Sequence, residues 1–283
     1  MDNSNLLYLW LTVFFYSVGI HLYVKNFKKT YIIKDNISVE LFPIIFQRYW
    51  YFTAYFGMYL FLPVINKGIS CLSKYEFKLV IMSTLGIFVF WRDFKNPDKD
   101  VFNLNSGNSM IWLLIYYLTG AYIGKYRIDL FGLKKYIYLL LYLLIFIFCS
   151  YLYIKIYKND INSENLNSHK EFIFTLRKML SKRFDSVLKV TQSIITCLFF
   201  LQIHYNKNIA KIICFLGPLI FGVYLIHIHP IIKYNLLRNI FKNESNNISL
   251  NSTIILILLK SLKMLIVCIF IDYFRNKLFM YVN

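Results

Sequence analysis

The run YIYLLLYLLIFIFCSYLYIKI, residues 136–156, carries no charge before Lys155. A helix rises about 1.5 Å per residue, so roughly 20 apolar residues cross the ~30 Å hydrocarbon core of a bilayer. This run is of that length, and it is too long and too continuously apolar for a strand of a membrane barrel. Similar runs lie outward from it at 6–25, 41–65, 77–91, 110–124, 188–203, 211–229 and 252–274. The third, fourth and sixth of the eight in chain order are short. Unpaired backbone groups are costly in lipid, and only helices or closed barrels remove them all. The expected fold is therefore all-α: a polytopic transmembrane helix bundle of about eight spanning helices, in one domain over residues 1–283.

Composition agrees. Of 283 residues, 58% are hydrophobic and only 16% charged, with a mean hydropathy of +0.51, against about 25% charged residues in an ordinary soluble domain. A soluble fold of this size cannot hide so much apolar surface. The 27 Phe, 24 Tyr and 4 Trp suit helix contacts and the headgroup level, where an apolar ring with a polar tip is satisfied. The net charge of +18 falls in short segments between apolar runs and forms no continuous stripe. It fits lipid headgroups and loop topology, not nucleic acid. The five cysteines are widely spaced, without a CxxC pair, which argues against a disulfide framework or a thiolate metal site. No basic stretch precedes the first run and no small-residue cleavage site follows it, so residues 6–25 are expected to be a mature span.

The connections at Lys25–Glu40, Arg92–Ser109 and Phe241–Ser252 read as loops rich in charged, Asn, Ser, Gly or Pro residues. In the long connection 157–185, Ser168–Arg183 alternates basic and apolar residues, which predicts either a short basic helix lying on the membrane or a solvated linker. Basic residues cluster so that the positive-inside rule would put both termini outside, although most of the excess comes from this one loop.

Ionisable side chains within apolar runs are costly and therefore informative. Those near the run ends can snorkel to water, and the candidates are His21, Arg48, His227, His229, Lys260, Lys263 and Asp272. Lys260 and Lys263 are one turn apart and share a helix face, and Asp272 is expected to pair through another helix. Arg48, five residues after Pro43, is either an interfacial anchor among Tyr49, Trp50 and Tyr51 or a guanidinium that grips a phosphate or carboxylate. The His227-x-His229 pair invites a metal, but positions two apart on a helix face nearly opposite ways. No Asp, Glu or Cys stands nearby to complete a set, so no metal site is expected. Pro230 should end the helix at His229, which leaves His227 facing the bundle interior and His229 at the interface. Gly120 and Gly124, four apart, would allow a close helix contact.

Three stretches taken together, QRYWYFTAYFGMYLFLPVINKGI (47–69), SGNSMIWLLIYYLTGAYIGKY (106–126) and FGVYLIHIHPIIK (221–233), resemble the acyltransferase-3 family of integral membrane acyltransferases. The likeness is greatest to the branch that O-acetylates cell-surface polysaccharides and lipid-linked sugars. They match in kind, order and spacing over roughly residues 1–240. The resemblance implies a multi-pass protein of the bacterial plasma membrane, with acetyl-CoA as acyl donor, a surface polysaccharide or lipid-linked sugar hydroxyl as acceptor, and no bound cofactor. Such transfer needs a base for the hydroxyl proton and a cation for the donor's phosphates. His227 and His21 are the candidate catalytic residues. Arg48 is the expected anion contact, with Trp112 and Tyr116 as cavity wall.

Family members begin with an additional helix pair whose first helix carries an Arg and then a His that serves catalysis. Nothing before Asn5 corresponds to it, and His21 lies in a run that looks like the family's third helix. The chain is therefore expected to be amino-terminally truncated relative to the family. The competing functions are a transporter or flippase of lipid-linked sugars, which should show internal repeats or helices broken in corresponding halves, and a non-catalytic remnant of the acyltransferase family.

Overall fold

The structure, a computed structural model, describes residues 3–27, 37–91, 93, 100, 102–126, 132–162, 184–233 and 250–282. The segment 163–183, with its expected surface helix, lies outside them. Every described regular element is helical: α1 (Asn3–Phe27), α2 (Ile37–Leu41), α3 (Trp50–Cys71), α4 (Lys74–Leu85), a π-helical turn (Gly86–Trp91), a 3₁₀ turn (Asn105–Gly107), α5 (Met110–Tyr126), α6 (Lys135–Asn162), α7 (Val187–Leu201), α8 (Lys207–Ile228) and α9 (Leu250–Val282). Each of the eight apolar runs falls mainly on helix, with the end of the sixth moved back to Leu201 and the start of the second corrected. Residues 42–49, assigned by the sequence to the second run, form turns, and α3 starts at Trp50.

Among the described residues, two helices are long and apolar enough to cross a membrane, at 135–152 within α6 and at 207–228, and the apolar helices at 8–23 and 187–201 are shorter. This is fewer than the eight spans expected. The reason lies in the helices themselves. α4, α5 and α7 have 12, 17 and 15 residues, the apolar character of the continuous helix α3 is broken by Pro63, Asn66 and Lys67, and α9 carries Lys260, Lys263, Asp272 and Arg275.

The chain forms two compact units. The first comprises residues 1–49 and 205–283, the second residues 50–204. In the first, α1 packs on α2 and α8, and α8 packs on α9. In the second, α3 and α4 pack on α5, and α6 packs on α7. Ser73 opens α4 with a capping box, its hydroxyl accepting from Glu76 N while Glu76 accepts from Ser73 N at 2.9 Å. These exchanged bonds satisfy two of the helix's free amides and hold the Glu76 carboxyl below its ordinary range.

Trp112 and Ile115 of α5 sit in a buried cluster with Val89, Leu104 and Val190. The SGNS stretch ahead of α5 is fixed by Gly107, whose φ is +88°, and by Ser106 O accepting from Phe184 N at 3.0 Å. Gly107→Ala is expected to destabilise the protein by about 1–2 kcal/mol from the left-handed backbone alone. In addition, its new Cβ would lie 2.8 Å from Phe184 Cβ. Gly120 and Gly124, by contrast, have nothing among the described residues within 4 Å of where an alanine methyl would stand, so among these residues the close helix contact anticipated for them is not made. Gly120→Ala should then stabilise the protein by about 0.5–1 kcal/mol through helix propensity. Thermal melts of the two variants in detergent should move in opposite directions.

A buried carboxylate between two histidines and an arginine

α1 carries polar residues at helical spacing on an otherwise apolar helix. Ser17 and His21, one turn apart, are 0% and 4% exposed. Opposite them stands Glu40 on α2, also fully buried. Ser17 donates to Glu40 Oε2 at 2.5 Å, and His21 Nδ1 lies 3.6 Å from Oε1.

The turns after α2 bring in the cation. Phe42 N bonds back to Ser38 O, and Arg48 N reaches back to Pro43 O at 2.9 Å, a closure that needs a left-handed residue just inside it. Gln47 supplies this with φ +50°. The Arg48 guanidinium forms an ion pair with Glu40 Oε1. Arg48 is thus paired with a carboxylate of its own chain, where the sequence suggested either an interfacial anchor or a contact to an anionic ligand.

The last member comes from the end of α8. Pro230 ends that helix as expected, leaving His229 as its cap with φ −53° and ψ 125°. The extended backbone turns the ring inward, where it is fully buried. Its Nδ1 accepts from Ile231 N at 3.3 Å, so the ring proton sits on Nε2, 3.6 Å from Glu40 Oε2. Tyr49, also fully buried, lies beside it with centroids 6.2 Å apart and the rings tilted by 58°.

The histidine assignment from sequence is thus reversed for His229, which is interior and not interfacial. His227 is only partly buried, its Nδ1 is tied to Val223 O at 2.7 Å on its own helix, and its ring stands edge-on to Tyr224. Tyr224 in turn lies 6.3 Å from Tyr49, which connects His227 to the edge of the cluster.

Burial alone disfavours a charge on Glu40. His229, the Ser17 hydroxyl and the Arg48 guanidinium outweigh that effect and hold its carboxyl at about 2. An ionised Glu40 faces His21 Nδ1 at 3.6 Å, an electrostatic contact longer than a hydrogen bond, which favours the ring proton on Nδ1 and the lone pair on Nε2. Among the described residues, that nitrogen has no hydrogen-bond partner. A carboxylate-oriented imidazole of this kind is suited to taking a proton.

A second polar cluster lies in the same unit. Asp272 accepts from Tyr16 OH at 2.7 Å and from Arg275 Nε at 2.7 Å. Arg275 also donates to Tyr8 OH and Thr12 Oγ1 and sits between the rings of Tyr8 and Phe279. The expected cross-helix partner of Asp272 exists in Tyr16, but its charge partner is on its own helix, one turn on. Lys260 is half-buried and Lys263 exposed.

Among the residues chosen from sequence, His21 and Arg48 meet at Glu40, and His227 adjoins them through Tyr224. Trp112 and Tyr116 belong to the second unit. There Trp112 is 1% exposed and packs within an apolar cluster. Tyr116 OH donates to Ser193 Oγ at 3.3 Å. The sequence reading missed Ser17, Glu40 and Arg275. The signal for Glu40 was present in ISVELFPII, residues 37–45, where one acid stands among apolar neighbours.

Comparison with curated proteins and with solved structures gives no match. A family model does match: acyltransferase-3, described as an acyltransferase domain, covers residues 4–273. That match contains all three motif stretches and the whole Glu40 cluster, and the chain belongs to the acyltransferase-3 family.

Proposed function

We propose that the chain is a multi-pass membrane O-acyltransferase that moves an acetyl group from acetyl-CoA to a hydroxyl of a cell-surface polysaccharide or lipid-linked sugar. The observation that carries this reading is the buried contact of His21 Nδ1 with the Glu40 carboxylate. His21 Nε2 takes the acceptor hydroxyl proton as its oxygen attacks the thioester carbonyl. The carbon–sulfur bond then breaks, and the imidazolium returns the proton to the leaving thiolate, giving the ester and free CoA thiol. Arg48 keeps Glu40 charged, so it acts as a positioning residue and leaves the donor's phosphates to other cations. His227, whose Nδ1 is occupied by Val223 O, presents Nε2 to the same chemistry as a second hydrogen-bonding group.

The test is acetylation of surface polysaccharide in a host lacking its own enzyme, using the chain alone and with the upstream helices of a related protein fused in front. Removing a general base costs on the order of 10²–10⁴ in rate. His21→Ala is expected to fall by that factor and His227→Ala by less. Equal activity of wild type and His21→Ala, or background transfer by both forms of the wild type, overturns the reading.

A further inference from the structure

The second unit holds a cleft of about 650 Å³ between α4, α5 and α7, which the acyl-transfer chemistry does not use. Its length runs along one face of α4, from Lys74 and Lys78 past Ile81 and Met82 to Leu85. The opposite wall includes Ile123 and Ile194. Eleven helical steps from Lys74 to Leu85 make about 16 Å, about half of the ~30 Å hydrocarbon core, which is the depth of one leaflet. Thr119 is a polar side chain in the apolar wall, and its hydroxyl donates to Ile115 O at 2.8 Å, so it asks nothing of an occupant.

Charge is confined to one end. Lys74 and Lys78 are one turn apart on the cleft face. Lys74 Nζ rests over the Tyr126 ring at 5.7 Å, and Lys78 has no hydrogen bond or ion pair among the described residues. The nearest acid in sequence, Glu76, is turned back to the Ser73 amide by the capping box. Lys125 is committed to Ile69 O and Leu72 O.

An apolar slot one leaflet deep, ending in two ammonium groups with no acidic partner among the described residues, complements an anionic amphiphile. We infer that the cleft binds an anionic phospholipid of the surrounding bilayer, with its phosphate on Lys74 and Lys78 and one acyl chain laid along Ile81, Leu85, Ile123 and Ile194. This needs the chain to lie in a membrane, as proposed above, but not to transfer an acyl group, and its test reads binding instead of activity.

The test is native mass spectrometry of the purified full chain in uncharged detergent, titrated with phosphatidylglycerol or phosphatidylcholine of the same acyl chains. Two lysines near the headgroup should favour the anionic lipid by about tenfold or more. Lys74→Gln with Lys78→Gln should erase the preference, and Lys74→Arg with Lys78→Arg should keep it. Equal binding of the two lipids by the wild type, or an unchanged preference in the glutamine variant, overturns the inference. Displacement of phosphatidylglycerol by equimolar palmitoyl-CoA also overturns it, because the cleft would then be reading a nucleotide-linked acyl group.

Discussion

Glu40→Gln is expected to cost the protein about 3–5 kcal/mol, because it leaves the buried Arg48 guanidinium without that counter-charge. Folded domains are stable by only about 5–15 kcal/mol, so the loss should be visible as a large drop in melting temperature in detergent. Arg48→Gln added to Glu40→Gln should recover most of it, since both charges are then gone. A double-mutant cycle measures the coupling directly, and additive losses from the two changes would show that the pair does not act as a unit. The pH dependence follows from the depressed carboxyl. With a folded value of about 2 and an ordinary one of ~4.3, the stabilisation is fully present above ~4.3 and is lost as pH falls through about 2. Wild-type melting should therefore approach that of Glu40→Gln across this window, while the variant lacks this component of acid dependence.

What could be read in the sequence follows from the range of the physics involved. Apolar run length is a local property, and α6 and α8 appear where their runs predicted. The Pro230 stop was legible for the same reason, as proline restricts the residue just before it. The inward turn of His229 was not, because it depends on Glu40 arriving from α2, 189 positions away in sequence numbering. Helical phase alone placed His227 inside. Arg48 shows the same limit: its type marked it as a gripper of carboxylates, but the left-handed Gln47 that aims it at Glu40 has no sequence signature of the kind glycine would give. The α4 cleft was invisible for a different reason. Lys74 lies in the gap before the 77–91 run and Lys78 just inside it, and only the Ser73 cap places both on the first turns of one helix.

The Asp272–Arg275 pair, like that of Glu40, is buried, at 0% and 4% exposed, but it is bounded by a glycine. A Cβ at Gly222 on α8 would overlap the Asp272 carboxylate and lie 2.6 Å from Asp272 Cβ. The helices α8 and α9 approach this closely only because position 222 has no side chain. Gly222→Ala is therefore expected to cost about 1–3 kcal/mol as overpacking, despite alanine's better helix propensity. Asp272→Ala should cost about 3–5 kcal/mol by leaving Arg275 buried among Tyr8, Thr12 and Asn276 without its carboxylate. The two changes should combine sub-additively. Removing the carboxylate relieves the worst of the overlap, while the 2.6 Å approach of the two Cβ positions keeps some of it. Denaturant or thermal unfolding of the two single variants and the double variant decides this. Full additivity would mean that α8 shifts away from α9 in Gly222→Ala and that the glycine does not set their spacing.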